Sequence, residues 1–173
     1  MLSRNYLVMG TESKKKALFL DRDGTINVDK GYVFKPEDFE FQPGIFELVK
    51  EYATNNFLIF VITNQSGIAR GLYTEKEYRI LTDYMIEQFA NRGIRIEKVY
   101  HCPHLPETDG PCDCRKPNPG MIVEAINEYG INPKRSVVIG DSERDLLAGI
   151  NAGIGKNLYI QDLLPKGIFE GEY

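Results

Sequence analysis

Short apolar runs alternate along this chain with stretches whose apolar residues recur at helical spacing. Five runs have the length and the branched or aromatic content of buried strands, and they span 17–20, 57–62, 96–100, 136–140 and 157–160. Four amphipathic stretches separate them, and these span 45–53, 74–92, 118–130 and 143–151. Apolar strands between amphipathic helices are typical of a parallel sheet that is covered on both faces. The pattern therefore predicts an α/β fold: one doubly wound, Rossmann-like parallel sheet with helices on both faces.

Cap and turn residues mark where these elements begin and end. Thr74 followed by Glu77 is a capping box that begins the second helix, and Gly93 ends it. The irregular stretches 24–44 and 102–116 are each too short to hold a second domain. We therefore expect a domain over 16–173 without a cap domain, preceded by a flexible leader over 1–15.

Composition and charge argue against several classes of partner. Hydrophobic residues make up 42% of the 173 residues and charged residues 27%, which is ordinary for a globular protein. A net charge of −4 provides no basic field for nucleic acid, and apolar runs of about six residues are far too short to span a membrane. The start of the chain lacks the pattern of a secretory signal. We expect a cytoplasmic monomer that binds neither nucleic acid nor membrane.

Two aspartates, Asp21 and Asp23, follow the first predicted strand directly. The C-terminal ends of strands in open α/β sheets form the edge at which ligands bind, and Gly24 allows the backbone to turn sharply there. Two carboxylates at such an edge repel each other unless a shared proton or a cation relieves the strain, and Mg²⁺ is a hard cation that favours carboxylate oxygens. A solvated pair of aspartates that caps a helix explains an isolated Asp-x-Asp equally well. The residues that follow the other predicted strands are needed to distinguish the two explanations.

Polar residues follow other predicted strands as well. Thr63 and Asn64 come at the end of the second strand, and Asp141 comes at the end of the fourth. Lys116 lies just before the third predicted helix. Carboxylates from two strands, a hydroxyl and a lysine at one sheet edge supply what phosphoryl transfer requires, namely a cation held by acids, positive groups around the phosphoryl oxygens and a positioned nucleophile.

The Cys- and Pro-rich loop holds a second cluster. Cys102 and His104 are two residues apart, and so are Cys112 and Cys114, so that each pair points two ligand atoms to one side of an extended segment. Together they form a Cys₃His set that fits a closed, tetrahedral Zn²⁺ site with a structural role. The alternative is three buried thiols and an ordinary histidine, but thiols bury on strands and helices rather than in such a loop. His101 falls outside the spacing and is expected to be structural or solvated.

In order and spacing, these residues resemble the four motifs of the haloacid-dehalogenase (HAD) superfamily of phosphatases. The motif residues are Asp21-x-Asp23-Gly24-Thr25, Thr63, Lys116 and Gly140-Asp141-x-x-x-Asp145. The resemblance implies that Asp21 is a nucleophile that forms an aspartyl-phosphate and that Asp23 is the general acid and base. It also implies that Thr63 and Lys116 hold the phosphoryl oxygens. The implied Mg²⁺ ligands are the carboxylates of Asp21 and Asp141 and the main-chain carbonyl of Asp23.

Longer segments look like one family within this superfamily, the D-glycero-D-manno-heptose-1,7-bisphosphate 7-phosphatases. The shared segments are the zinc loop, Gly31-Tyr32, 63–71 and 112–117. The resemblance implies hydrolysis of the 7-phosphate of the heptose bisphosphate, on the route to the ADP- and GDP-heptose precursors of bacterial lipopolysaccharide. It implies that Arg115 recognises the anomeric phosphate, a task suited to a guanidinium fork. The other implied substrate contacts are Asp29, Lys30, Gly31, Tyr32, Thr63, Asn64, Gln65, Ser66 and Lys116.

The fourth motif contains one departure from the family pattern and one residue with two explanations. Family members often carry a lysine directly after the motif aspartate, where this chain has Ser142. Asp145 matches the motif, but favourable placement of a negative charge at a helix N-terminus explains this residue equally well.

Two alternative functions remain. Histidinol-phosphate phosphatases share the zinc loop and the four motifs, but they typically depart from the Ser-Gly-Ile-Ala-Arg-Gly of 66–71 and lack the Pro119-Gly120-Met121 present here. An enzyme for another small phosphate ester belongs to the same class of alternative. A receiver-type signalling module also places carboxylates, a hydroxyl and a lysine around Mg²⁺, but it has no use for an acid and base at Asp23 or for a zinc loop.

Overall fold

The computed structural model of the chain describes residues 15–164, and these contain one five-stranded sheet. The strands are β1 (Lys16–Leu20), β2 (Phe57–Asn64), β3 (Ile96–Cys102), β4 (Val137–Gly140) and β5 (Lys156–Tyr159). All of them pair in parallel, in the order β3-β2-β1-β4-β5. The predicted α/β fold with one parallel sheet is confirmed.

Five α-helices connect or flank the strands in the described part of the chain. They are α1 (Ile45–Thr54), α2 (Glu75–Ala90), α3 (Pro106–Asp109), α4 (Gly120–Tyr129) and α5 (Glu143–Asn151). Short 3-10 helices cover Pro36–Asp38, Pro133–Arg135 and Ile160–Asp162. The capping box that begins α2 is confirmed, because the Thr74 hydroxyl accepts from the Glu77 amide and the Glu77 carboxylate accepts from the Thr74 amide. None of the helices between residues 15 and 164 has the length and apolarity that crossing a membrane requires.

Alternate residues of each inner strand face opposite helix layers. In β1, Leu18 and Leu20 belong to the core that includes residues of α1 and α2, whereas Ala17 and Phe19 belong to the core that includes residues of α4 and α5. This alternation follows from the two-residue period of a strand. Because both faces are covered by helices, the strands are apolar throughout, which is why their runs are continuous in the sequence.

The strand order places a crevice at the C-terminal end of β1. From β1 the chain moves outward through β2 to β3, and it then returns to the other side of β1 to form β4 and β5. Connections that leave β1 and β4 in opposite directions open a gap between the ends of these strands, where ligands bind in sheets of this kind. The Asp21 amide donates to the Ile139 carbonyl at 3.0 Å, which keeps the two strand ends side by side.

The structure differs from the sequence-based expectation in several details. β3 continues to Cys102, whose side chain is fully buried, so the argument that no thiol of this segment lies on a strand is wrong for this residue. The Cys-rich stretch also contains α3, which was not predicted because its proline and acidic residues show no apolar pattern of helical spacing. The predicted leader over 1–15 lies outside the described residues except for Lys15, whose carbonyl accepts from the Asn132 amide at 2.9 Å.

Candidate active site

The C-terminal ends of β1 and β4 bring three carboxylates together. Asp21 follows β1, Asp141 follows β4 and Asp145 lies in the first turn of α5. One oxygen from each carboxylate lies within 4.8 Å of the other two. Asp21 and Asp145 are buried, and Asp141 is partly buried. Because like charges at this distance repel each other, the group needs positive charge nearby.

Lys116 supplies one positive charge to this group. Its Nζ lies 2.5 Å from Asp21 Oδ1 and 2.7 Å from Asp145 Oδ1. It donates a further hydrogen bond to the Ile62 carbonyl at 2.9 Å. An ammonium group has three protons, and two hydrogen bonds and the ion pair with Asp145 surround this buried amine. The lysine therefore ties together the ends of β1 and β2 and the start of α5.

Burial and charge act in opposite directions on these groups. Burial raises the pKa of Asp21 to about 7, although Lys116 opposes the shift. Burial, and then the charge of Asp145, raise the pKa of Asp141 to about 6. Burial also acts upward on the pKa of Asp145, but Lys116 and the hydrogen bonds from Ser142 together outweigh it, so the pKa of that carboxyl is lowered. Lys116 has its own pKa raised by the two aspartates against the effect of its burial.

The surroundings of Asp141 fit a divalent cation. Asp141 Oδ1 is buried and has no hydrogen-bond partner within residues 15–164, and such an oxygen calls for a missing partner. Gly24, at φ 87°, faces the same carboxylate, and a Cβ at this position would overlap Asp141 Oδ2. The two predicted carboxylate ligands, Asp21 and Asp141, are therefore brought together in a site whose oxygen donors suit Mg²⁺.

Asp145 caps the N-terminus of α5, as one of its two explanations expected, and it also pairs with Lys116. Its Oδ2 accepts from the Ser142 amide at 3.1 Å and from the Ser142 hydroxyl at 2.6 Å, which caps the N-terminus of α5. Its other oxygen, Oδ1, pairs with Lys116. Gly140 leaves the space that the Asp145 side chain occupies, because a Cβ there would overlap it. The helix cap and the position of the lysine are thus set by one carboxylate.

The carboxylate of Asp23 does not join this group. It is held by the guanidinium of Arg22, with four N–O distances of 2.8–3.2 Å. Asn27 Nδ2 donates to its Oδ1 at 3.2 Å, and Gln65 Nε2 donates to its Oδ2 at 2.9 Å. The side chain lines a cleft beside the three carboxylates. The two acids of the first motif therefore face different surroundings, as separate roles for them require.

The end of β2 is joined to the site by amide side chains. Gln65 Nε2 donates to the Thr63 hydroxyl at 2.8 Å, and Gln65 Oε1 accepts from the Tyr73 hydroxyl at 2.5 Å. Asn64 pairs with the backbone of Lys116, donating to its carbonyl at 3.2 Å and accepting from its amide at 3.1 Å. Thr63 and Lys116, two of the predicted substrate contacts, are buried and do not line the cleft beside them.

A cleft of about 320 Å³ opens above these residues. The predicted substrate contacts that line it are Asp29, Gly31, Tyr32, Asn64, Gln65, Ser66 and Arg115. Lys30 is not among the lining residues, and its Nζ pairs with Glu40 Oε2 at 2.9 Å. Arg70, Tyr73 and Arg144 also line the cleft. With Arg115, three guanidinium groups therefore border a space that an anionic ligand could fill.

Several residues of the cleft and its surroundings were not predicted from the sequence. Arg70 lies in the 63–71 segment, which was the one signal for it, and Tyr73 follows that segment closely. Arg144 lies at a position of the fourth motif where no residue type is required. It belongs to the first turn of α5, near Asp141, and its charge opposes the rise that burial causes in the pKa of Asp141. Arg22 lies inside the first motif, where the motif places no requirement on residue type.

The predicted Cys₃His set is brought together in the structure. The Sγ atoms of Cys102, Cys112 and Cys114 lie 2.9–3.6 Å apart. His104 Nδ1 lies 3.5 Å from the sulfur of Cys102 and 3.3 Å from that of Cys114. Zn–S bonds of ~2.3 Å in a tetrahedron place sulfurs roughly 3.8 Å apart, so the donor set fits a metal after small shifts. His101 lies outside the cluster, with its Nε2 2.6 Å from Glu75 Oε1.

Comparison with protein families and curated proteins places the chain among phosphatases. The HAD-hydrolase-like family matches residues 113–160. A protein of Campylobacter jejuni named D-glycero-alpha-D-manno-heptose-1,7-bisphosphate 7-phosphatase is 51% identical over 156 residues, which are 90% of this chain and 88% of the relative. The D-glycero-beta-D-manno-heptose-1,7-bisphosphate 7-phosphatase of Helicobacter pylori strain J99 is 51% identical over 84% of this chain and 83% of its own length.

Solved structures agree with these similarities. The D,D-heptose 1,7-bisphosphate phosphatase of B. bronchiseptica, complexed with magnesium and phosphate, has a TM-score of 0.75 and 34% identity, over 82% of this chain and 78% of that chain. The enzyme of the same name from Burkholderia thailandensis has a TM-score of 0.59 and 31% identity, over 81% of this chain and 75% of that chain.

The space that Gly24 leaves for Asp141 predicts the effect of adding one methyl group. Gly24→Ala should weaken Mg²⁺ binding about tenfold or more. The added Cβ would overlap the side chain of Asp141, a proposed Mg²⁺ ligand, and overpacking of this kind costs ~1–3 kcal/mol. The matched control is Gly153→Ala, whose position also has positive φ (77°) but no atom within 4 Å of the added Cβ. Both variants share the backbone strain, so isothermal titration with Mg²⁺ should separate them. Equal Mg²⁺ affinity in the two variants would contradict the assignment.

Proposed function

Because this chain belongs to the D-glycero-D-manno-heptose-1,7-bisphosphate 7-phosphatases, a family of HAD-like hydrolases, we propose that it hydrolyses the 7-phosphate of a heptose 1,7-bisphosphate. The observation that carries the proposal is the buried Lys116, paired with Asp21 and Asp145 beside Asp141 at the crevice between β1 and β4. A phosphoryl group that enters this crevice meets a carboxylate nucleophile and a cation together.

The proposed reaction has two steps. In the first, an Asp21 oxygen attacks phosphorus and forms an aspartyl-phosphate, while the bond from phosphorus to the sugar oxygen breaks and that oxygen takes a proton from Asp23. In the second, a water molecule attacks the same phosphorus and gives a proton to Asp23. The bond between Asp21 and phosphorus then breaks, inorganic phosphate leaves, and both aspartates return to their starting states. Lys116 and Thr63 hold the phosphoryl oxygens throughout.

The fit of the site to Mg²⁺ supports a magnesium-dependent enzyme. Asp21, Asp141 and the main-chain carbonyl of Asp23 would hold the ion. When bound, it supplies positive charge to the phosphoryl oxygens and neutralises the carboxylates that Lys116 alone leaves uncompensated. Lys116 keeps the nucleophilic carboxylate in place, while the cleft and its arginines orient the sugar.

The second phosphate of the substrate fits the three arginines of the cleft. Arg115 is the proposed partner of the anomeric phosphate, and Arg70 and Arg144 line the same space. A guanidinium fork matches the geometry of phosphate oxygens. Ser142 stands where related enzymes often carry lysine, and Arg144, two residues later, can supply the positive charge from the same helix turn. The backbone of Asp29 to Tyr32 would complete the wall that faces the sugar.

The Cys₃His cluster is proposed to bind a structural Zn²⁺ that keeps Arg115 in place. Arg115 follows the ligand Cys114 directly, and its Nη1 donates to the carbonyl of the ligand His104 at 3.3 Å. A metal that joins Cys102 at the end of β3 to this loop would therefore fix a substrate contact. Free thiols retained as metal ligands fit a reducing compartment, so we place the enzyme in the cytoplasm.

The main test is phosphate release from purified protein with Mg²⁺. Three compounds are assayed, namely the two anomers of D-glycero-D-manno-heptose 1,7-bisphosphate and histidinol phosphate. One of the heptose anomers should show the highest kcat/KM. Asp21→Asn should lower kcat by about 10³-fold or more, since a nucleophile is lost. The matched control is Asp83→Asn, an exposed position on α2 that should keep full activity. Preferred turnover of histidinol phosphate would overturn the substrate assignment, and a phospho-Asp21 stable for minutes would indicate a signalling module instead.

A second prediction concerns the cleft arginines. Arg144→Ala should raise KM for the bisphosphate by roughly ten- to a hundredfold, because a charge-assisted hydrogen bond of ~1.5–3 kcal/mol is removed. It should leave KM for heptose 7-phosphate nearly unchanged, since this ester lacks the second phosphate. Arg79→Ala, an exposed position on α2, is the control. Equal losses on both esters would place Arg144 outside the second phosphate site.

A third prediction concerns zinc. Elemental analysis of protein purified without chelator should find about one zinc per chain, and Cys112→Ser should lower both zinc content and Tm, since a structural metal contributes folding free energy. KM for the bisphosphate should rise with zinc loss because Arg115 loses its support. A zinc-free protein with unchanged Tm and KM would show that the cluster is only a set of buried thiols.

A further inference from the structure

We infer that Arg22 is a positioning residue that holds the Asp23 carboxylate in the cleft, away from the cations at Asp21. The inference rests on the proposed function, in which Asp23 protonates the leaving oxygen. Arg22 lies between the two aspartates of the first motif, and its side chain is 1% exposed. A buried guanidinium must be paired, since an unpaired buried charge is strongly destabilising. The partner it has is the side chain of the next residue.

The contact between Arg22 and Asp23 has the form of a fork. Nε and Nη2 each lie within 3.2 Å of both carboxylate oxygens, and Nη2 to Oδ2 is the shortest distance at 2.8 Å. Two donors on one rigid plane fix the orientation of a carboxylate as well as its position. Asp23 is the carboxylate partner of Arg22 in the described part of the chain. The fork is therefore directed at Asp23 rather than at the core.

Other contacts hold the fork itself in place. Arg22 Nη2 also donates to the Val33 carbonyl at 2.9 Å, and the guanidinium lies over the Tyr78 ring, 5.9 Å from its centroid. Val33 follows the Asp29–Tyr32 wall of the cleft directly. One buried group thus joins the cleft wall, the α2 helix and the proposed acid.

The need for such a holder follows from the charges nearby. Lys116 and a divalent cation at Asp21 and Asp141 both attract carboxylates, and a free Asp23 side chain could turn toward either. Asn27 and Gln65 add neutral donors at 3.2 and 2.9 Å, but Arg22 supplies the opposing positive charge. Without the fork, Asp23 would still be present but would be poorly aligned with the leaving oxygen, and misplacement by about 1 Å can cost ~10²-fold in rate.

This role predicts a loss that depends on the leaving group. A sugar alkoxide needs a proton as it departs, whereas p-nitrophenolate departs readily without one, so misalignment of the acid should harm the first ester and spare the second. Arg22→Met should lower kcat/KM for the heptose bisphosphate by roughly 10²-fold and for p-nitrophenyl phosphate by less than about threefold. Arg79→Met, at an exposed arginine of α2, should leave both values unchanged.

A double-mutant comparison shows whether Arg22 acts through Asp23. Asp23→Asn should show the same leaving-group signature with a larger loss on the sugar ester. Arg22→Met combined with Asp23→Asn should then lie within about twofold of Asp23→Asn alone, because residues that act as a unit are not additive. Full additivity of the two losses would overturn the inference.

Arg22→Lys provides a variant that keeps the buried charge. Lysine cannot form the fork, so a folded Arg22→Lys protein should show the selective loss at reduced size, and this variant decides the matter if Arg22→Met does not fold. Equal losses on both esters in a folded variant would make Arg22 a structural residue only. Failure of the native protein to hydrolyse the heptose bisphosphate would instead overturn the proposed function, so the two failures are distinguishable.

Discussion

The mutual repulsion of three carboxylates is the constraint on which the rest of the site depends. Asp21, Asp141 and Asp145 come from two strand ends and a helix, and their oxygens lie within 4.8 Å of one another. Lys116 makes this tolerable, since its amine reaches two of the acids and a main-chain carbonyl of β2. The charge that remains uncompensated is what a divalent cation would neutralise. The core packing that fixes the strand ends therefore also fixes the electrostatics of the site.

Much of the fold could be predicted from the sequence because both faces of the sheet are buried. Continuous apolar runs such as 57–62 can form little else than inner strands, and the residues that follow them must meet at one edge. Asp21 and Asp141 were expected to meet there, and the structure brings their carboxylates together. The same reasoning could not place Arg70 and Arg144, because exposed residues of turns and helix ends carry no periodic signal.

Cys102 and Asp145 show how tertiary context decides between local alternatives. The sequence around Cys102 is rich in proline and polar residues, but β3 extends into it because its register with β2 continues to Asn64. For Asp145, membership of the fourth motif and charge stabilisation of a helix N-terminus were competing explanations. One oxygen of this carboxylate caps the helix and the other pairs with Lys116, and a pattern along the sequence cannot reveal that one side chain makes both contacts.

The pairing of the Asn64 side chain with the backbone of Lys116 has a consequence for how this protein can vary. Asn64 ends β2, and its amide group satisfies both the carbonyl and the amide of a residue 52 positions later in the chain. The lysine is thereby located by the sheet rather than by the loop that leads to it. Insertions or deletions around α3 can accumulate over evolution at the tip of that loop while the ammonium group stays where the sheet puts it.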